Sequence, residues 1–308
     1  MPERDRPTPL REIGPLEAID RSRATAGDVA RHAIHDGVRQ LLEQRAGIGR
    51  PEDHHAIHQA RVATRRLRSD LRSFGPFLEA SWTASLRDDL RWLGTALGRV
   101  RDTDVLLARL ELRAAELPDA ERLAVESVLE RLRDQRSEAH ARLVAALEEP
   151  RASALTDRLV VAARAPRLLG AAGSPATRAL EPVVRRPWRR LRDAVGALAD
   201  DPADHALHEV RILAKRCRYA TEAVTVVLGR PAGRFSRALA ALQDTLGEHQ
   251  DAVVARAWLA KAAADVAAPE AFAAGMLADA EVAAARDARA AFPRAWERVR
   301  RRRPATWR

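Results

Sequence analysis

HQARVATRRLR, residues 58–68, returns 150 positions later as HEVRILAKRCR, residues 208–218. Both copies read H-x-x-R-[VI]-x-x-[RK]-R-x-R, so every basic position is kept while most neighbours change. An α-helix turns about 100° per residue. That rotation puts His58, Arg61, Arg65, Arg68 and Arg72 in one stripe and Ala60, Ala63, Leu67, Leu71 and Phe74 on the opposite face. The second copy divides the same way, with His208, Arg211, Lys215 and Arg218 against Val210, Leu213, Cys217, Val224 and Leu228. Each helix is expected to bury one side and present the other as nearly pure positive charge. A solvated face normally alternates in sign. Here like charges one turn apart repel by roughly 0.2–0.5 kcal/mol per pair, and an unfavourable stripe written twice points to an anionic partner.

A second pair of segments follows in register. LRWLGTALGRVRDTDV, residues 90–105, matches LAALQDTLGEHQDAVV, residues 239–254, on the skeleton L-x-x-L-x-x-x-L-G-x-x-[RQ]-D-x-x-V. Its glycine lies 40 residues after His58 and 39 after His208. Duplication of one helical unit is the simplest explanation.

These four motifs resemble the conserved histidine α-helical domain family, CHAD. The likeness rests on His58-x-x-Arg61 through Arg68, on Leu97-Gly98-x-x-Arg101-Asp102-x-Asp104-Val105, on His208-x-x-Arg211 through Arg218-Tyr219-x-x-Glu222, and on Leu242-Gln243-Asp244-x-Leu246-Gly247-x-x-Gln250-Asp251. It spans roughly residues 25–300. The resemblance implies two pseudo-symmetric antiparallel helical bundles around a central basic groove that binds inorganic polyphosphate. Carried over by position, His58, Arg61, Arg65, Arg66, Arg68, His208, Arg211, Lys215, Arg216 and Arg218 form the ligand-facing set, and Arg72, at the end of the first stripe, and Arg101, in the second motif, are expected to join them.

Composition agrees with an all-α fold. The 308 residues are 46% hydrophobic, and Ala, Leu, Arg and Glu dominate where Val, Ile and Thr alternation would mark strands. Net charge is +10 with a pI near 11.1, as expected for a polyanion binder. Cys217 is the single cysteine, which excludes an intramolecular disulfide and a cysteine-based zinc site; its place on the apolar face marks a buried thiol. No signal peptide or long apolar run is evident, so cytoplasmic residence, with polyphosphate granules as a further location, is the expectation.

Helical patterns run over about 29–44, 53–74, 79–97, 103–116 and 118–147, then 182–199, 203–228, 233–246, 249–266 and 270–299. Gly75-Pro76 and Gly229-Arg230-Pro231 stop the two basic helices at equivalent places. Residues 1–24 read as a flexible tail, 25–165 as the first repeat, 166–176 as a Pro/Gly/Ser-rich linker, 177–300 as the second repeat, and 301–308 as a basic tail.

Other ligands compete with polyphosphate for these residues. His55 with His58, and His205 with His208, have a spacing that can share a metal with Asp53 or Asp204, but the neighbouring cations repel one and no metal or other cofactor is expected. The histidines read as donors to phosphate or as packing groups. Asp102 and Asp251, each following a glycine, are expected to cap helices or to pair with an Arg of the facing repeat. No catalytic motif such as G-x-x-x-x-G-K-[ST] or H-E-x-x-H occurs, which gives a non-enzymatic binder. Nucleic acid is the nearest competing ligand, disfavoured by an aromatic content of 4%; an acidic protein docked on a helical scaffold is the third reading.

Overall fold

The computed structural model describes residues 9–303. Among them the chain forms α1 (Pro9–Ile13), α2 (Ala26–Glu43), α3 (Arg45–Ile48), α4 (His54–Ser73), α5 (Ala80–Ala114), α6 (Asp119–Glu148), α7 (Pro150–Arg164), α8 (Ala176–Ala179), α9 (Glu181–Gly196), α10 (Asp204–Ala263) and α11 (Ala268–Arg302). The described residues contain no strand, only the isolated bridges Thr25 with Pro175 and Leu78 with Leu168. The fold is all-α.

Local chemistry sets the starts of the helices that matter most. At α2, the Thr25 hydroxyl accepts from the Asp28 N–H at 3.2 Å and the Asp28 carboxylate accepts from the Thr25 N–H at 2.9 Å, a reciprocal capping box. At α4, the Asp53 carboxylate accepts from the Ala56 N–H at 2.8 Å.

Each basic helix has a similar set of helical neighbours. In the first half, α2 packs on the basic helix α4, α4 on the long α5, and α6 returns along α5. In the second, α9 packs on the basic arm of α10, residues 204–228; the arm at 230–263 takes the part of α5, and α11 that of α6. A His–Asp–Arg cluster holds the N-terminal end of each basic helix, with the His and Asp exchanged between the two. His54 Nδ1 lies 2.9 Å from Asp104, Arg136 of α6 donates to the same carboxylate oxygen at 2.9 Å, and Arg136 also donates to the Pro51 carbonyl. In the second half His249 lies 3.1 Å from Asp204, while Arg289 of α11 donates to Asp204 at 2.6 Å and to the Pro202 carbonyl.

The apolar stripes go where the sequence places them. Ala60, Ala63, Leu67, Leu71 and Phe74 are buried, as are Val210, Cys217 and Val224; Leu213 and Leu228 are only partly covered. The largest core cluster draws on both halves and holds Trp188, which meets Phe235 edge-on at 5.4 Å and stacks on Trp296 at 5.5 Å. A smaller cluster, with Leu110, Val128, Leu132, Leu259 and Leu277, joins the far ends of α5, α6, α10 and α11.

Several expected boundaries change. The patterns at 79–97 and 103–116 are one helix, α5, which passes through Gly98 and Asp102 without a break. Those at 233–246 and 249–266 are likewise continuous through Gly247 and Asp251. An isolated helical glycine costs only about 1 kcal/mol relative to alanine, too little to end a helix with this much packing. Neither aspartate is a cap. α7 lies beyond the expected patterns, which end at residue 147; its Pro150 sits in the first helical turn, where proline's missing N–H costs nothing. Nor are residues 9–24 a free tail: Ile13 is buried, and the His35 and His32 rings lie 3.0 and 2.6 Å from the Gly14 and Glu17 carbonyl oxygens. At the other end α11 continues through Arg302, with Val299 fully buried, so residues 301 and 302 belong to a helix and not to a tail. Residues 1–8 and 304–308 lie outside the described residues.

The stop at Gly229 does break the helix. Its φ of 67° and ψ of −150° turn the two arms of α10 against each other, in a region essentially reserved for glycine. Pro231 follows in the first turn of the second arm, where no preceding helical carbonyl is there to clash with it. Gly229→Ala is expected to lower stability by about 1–3 kcal/mol without altering ligand contacts. Urea denaturation checks this, and a loss under about 0.5 kcal/mol would mean that the kink relaxes.

Candidate functional site

A cavity of about 450 Å³ opens between the halves, lined from α4 by His58, Arg61 and Arg65, from α5 by Arg101, Asp102 and Arg109, and from α10 by His208, Arg211, Lys215, Gln250 and Asp251. Val62, Val105, Leu106 and Val254 supply its apolar wall. Six side chains of the Arg/Lys type face two carboxylates.

The repeated glycine now has a physical account. The Arg61 guanidinium lies directly over Gly98, where a methyl group would collide with Nη1, and Arg211 crosses Gly247 at 4.0 Å from the place a β-carbon would take. Each basic helix therefore lays its first arginine across the glycine of the neighbouring helix. The repeated aspartate then anchors it. Arg61 donates to Asp102 at 2.9 Å, and Arg211 stands 4.0 Å from Asp251. Both pairs lie within one half, whereas the sequence suggested pairing across to the facing repeat. The reason is that α4 runs against α5, and the basic arm of α10 against its second arm.

The repeated histidines differ in their support. His208 Nδ1 lies 2.6 Å from the Gln250 amide oxygen, which fixes the ring and leaves its other nitrogen available. Arg101, at the position matching Gln250, can only donate. Burial and then the charges of Arg101, Arg65, His55 and Arg61 hold His58 below its usual pKa.

Lys215 is the most perturbed cation. Burial first, then Arg211, Arg65 and Arg61, push its ammonium down to about 7 from 10.5. Burial likewise lowers Arg211 and raises Asp251. Arg65 has the Tyr219 ring 5.4 Å away and no carboxylate partner among the described residues. The cavity thus holds positive charge that the chain itself leaves uncompensated.

Of the twelve residues expected to face ligand, seven meet here: His58, Arg61, Arg65, Arg101, His208, Arg211 and Lys215. The other five do not. Arg218 is paired with Glu222 at 2.9 Å and lies 5.3 Å from the Tyr219 ring. Arg66 acts on the buried Asp70, and Arg68 lies near Gly94, Arg87 and Arg91 of α5. Arg72 and Arg216 line a different concavity. The stripe on α4 follows α5 for most of its length; its first half faces α10 across the central cavity, and its end meets α10 at the other concavity. Arg109 was missed. It lies seven residues beyond Asp102 on the same helix, a spacing that carries information only if α5 is unbroken.

The described residues contain no group of three or more His, Cys, Asp or Glu side chains gathered as for a metal ion. No helix among them is long and apolar enough to cross a membrane.

Comparison with known proteins shows the family and the fold. The family model described as the CHAD domain matches residues 32–260. Two Mycobacterium tuberculosis proteins, MT2285 of strain CDC 1551 / Oshkosh and Rv2226 of strain ATCC 25618 / H37Rv, are each 34% identical over 81% of this chain; the chain spans about half of their length, 49%. Among solved structures, PptA from Streptomyces chartreusis superimposes with a TM-score of 0.76 at 26% identity, covering 89% of this chain and 100% of that one. The CHAD domain from the plant Ricinus communis gives a TM-score of 0.67 at 27% identity, covering 87% and 89%.

Proposed function

The chain belongs to the CHAD domain family, and on that premise we propose that it binds inorganic polyphosphate in the cavity between its halves, without catalysing a reaction on it. The observation that carries this reading is the convergence of Arg61, Arg65, Arg101, Arg211 and Lys215 on one cavity with only Asp102 and Asp251 to oppose them. A linear polyphosphate offers closely spaced negative charge and no base or shape to recognise, so a row of cations is the matching surface. Arginine forks can each hold two phosphate oxygens, and Lys215 supplies a point charge.

Features of the cavity also favour binding over chemistry and phosphate over nucleic acid. Asp102 is occupied by Arg61, so it is poorly placed to activate a nucleophile. Tyr219 is 4% exposed, and the cavity lining holds no Phe, Tyr or Trp, the large platforms that single-strand binders use for stacking. In the cell, the reading places the protein in the cytoplasm, at polyphosphate granules or wherever the polymer accumulates.

Lys215 supplies a direct test. Phosphate oxygens around it favour the ammonium form, so at pH 8 complex formation should take up about one proton. Calorimetry in buffers of different ionisation enthalpy reads this number. Affinity should then fall as pH rises above about 7, by up to about tenfold per unit. Lys215→Arg keeps the charge and should remove both effects; proton uptake that survives in this variant would move the titrating group elsewhere. In the free protein the sign is opposite. The unfolded chain holds this proton more tightly, so stability should rise as pH climbs from about 7 toward 10.5.

A further inference from the structure

A second concavity, of about 360 Å³, opens where the end of α4, the basic arm of α10 and α9 meet. Phe77, Val183 and Leu213 contribute its apolar lining, and Arg72, Arg186, Arg190 and Arg216 bring four guanidinium groups to it from three helices. None of the four has a hydrogen-bonded or ion-paired partner among the described residues. That is not for want of carboxylates on α9: Arg185 reaches Glu181 at 3.8 Å and Arg192 reaches Asp193 at 2.7 Å. The pairs form on the neighbouring arginines, and those at the concavity stay open.

Arg186 and Arg190 are themselves one turn apart on α9, a like-charge spacing that works against the helix. Arg72 adds to the repulsion. Burial, then Arg87, Arg216, Arg68 and Arg91, hold it below its ordinary pKa. Charges gathered from three helices against their mutual repulsion, and left without a counter-ion by the chain, match a compact anion of several charges.

We propose that this concavity is a second oligophosphate site, in which Arg186 and Arg190 of α9 close with Arg72 and Arg216 on a short run of linear phosphate. The identity of the anion rests on the polyphosphate reading of the central cavity, whereas the site itself rests on the four unpaired arginines. Two sources can supply the ligand. One is a free short oligophosphate. The other is the far end of a chain seated in the central cavity, which would pass along Arg68, one turn from both Arg65 and Arg72 on α4 and close to Arg87 and Arg91.

The test is calorimetry on the full chain with tripolyphosphate and with long polyphosphate, comparing wild type, Arg186→Ala/Arg190→Ala and Arg65→Ala/Lys215→Ala. Arg186 and Arg190 are exposed, so their removal should leave the thermal transition in place. With tripolyphosphate, wild type should bind at two sites; the α9 variant should lose one and the central variant should keep that one. With long polyphosphate, an α9 variant that retains the stoichiometry but binds at least tenfold more weakly identifies one chain spanning both sites. A fall from two chains to one identifies separate ligands. An α9 variant indistinguishable from wild type with both probes overturns the proposal, even where the central variant loses binding and so upholds the central cavity. If instead the central variant binds normally and the α9 variant does not, the second site stands and the central reading fails.

Discussion

Alanine at Arg61, Arg65, Arg211 and Lys215 together is expected to cut polyphosphate affinity by at least about ten-thousandfold while leaving the helical content unchanged. Hydrogen bonds to charged groups contribute about 1.5–3 kcal/mol each, so even the low end for four such groups, about 6 kcal/mol, exceeds four decades of affinity at 1.4 kcal/mol per decade. The fold should not need these side chains. They lie opposite Ala60, Ala63, Val210 and Cys217, which are at most 1% exposed and carry the packing. Asp102 and Asp251 lose their partners in the variant, but both keep access to solvent. Circular dichroism and direct titration check the two halves of the expectation. Affinity within tenfold of wild type would show that the cavity is not where the polymer sits.

Glu281→Ala should produce the largest loss of stability. Glu281, on α11, is fully buried; its carboxylate accepts from Arg109 Nε at 2.7 Å, and Arg113 Nε stands 3.5 Å from its other oxygen. Removing it takes the only fully buried counter-charge from two largely covered guanidinium groups and leaves Arg109 with the half-exposed Glu248 and Arg113 with the exposed Glu116. Breaking a buried pair in this way costs about 3–5 kcal/mol, measurable by urea denaturation. Arg109→Met/Glu281→Met, which removes both charges of the closest pair, should recover most of that loss, since a packed apolar replacement is often neutral. A loss under about 1 kcal/mol in Glu281→Ala would mean that solvent reaches the pair.

Much of this architecture was legible in the chain because amphipathic helices advertise their buried side. The stripes of HQARVATRRLR and HEVRILAKRCR located the two basic helices, the core beneath them and the cations of the central cavity. Harder to read was where a stripe stops facing its ligand. Arg65 and Arg68 are one turn apart, but which of them meets the second half depends on how α4 is placed against α10, and that is a matter of packing between distant segments. Glycine caused the other errors. Gly98 and Gly247 looked like helix ends, yet both are helical positions beside an arginine of the basic helix, and at Gly98 a β-carbon would collide with Arg61 whereas Gly247 has room for one; Gly229 looked the same in sequence and does break its helix. The arginines of α9 gave no repeat to notice, and their convergence with Arg72 and Arg216 exists only in three dimensions.

The central claim is that one polyphosphate chain is held by both halves at once. A crystal structure of the protein grown with polyphosphate tests it most directly. The account predicts continuous density between α4 and the basic arm of α10, with phosphate oxygens about 2.7–2.9 Å from the charged nitrogens of Arg65 on one side and of Arg211 and Lys215 on the other. Ordered phosphate confined to the outer surface, with no phosphate oxygen at those three side chains inside the cavity, would contradict it.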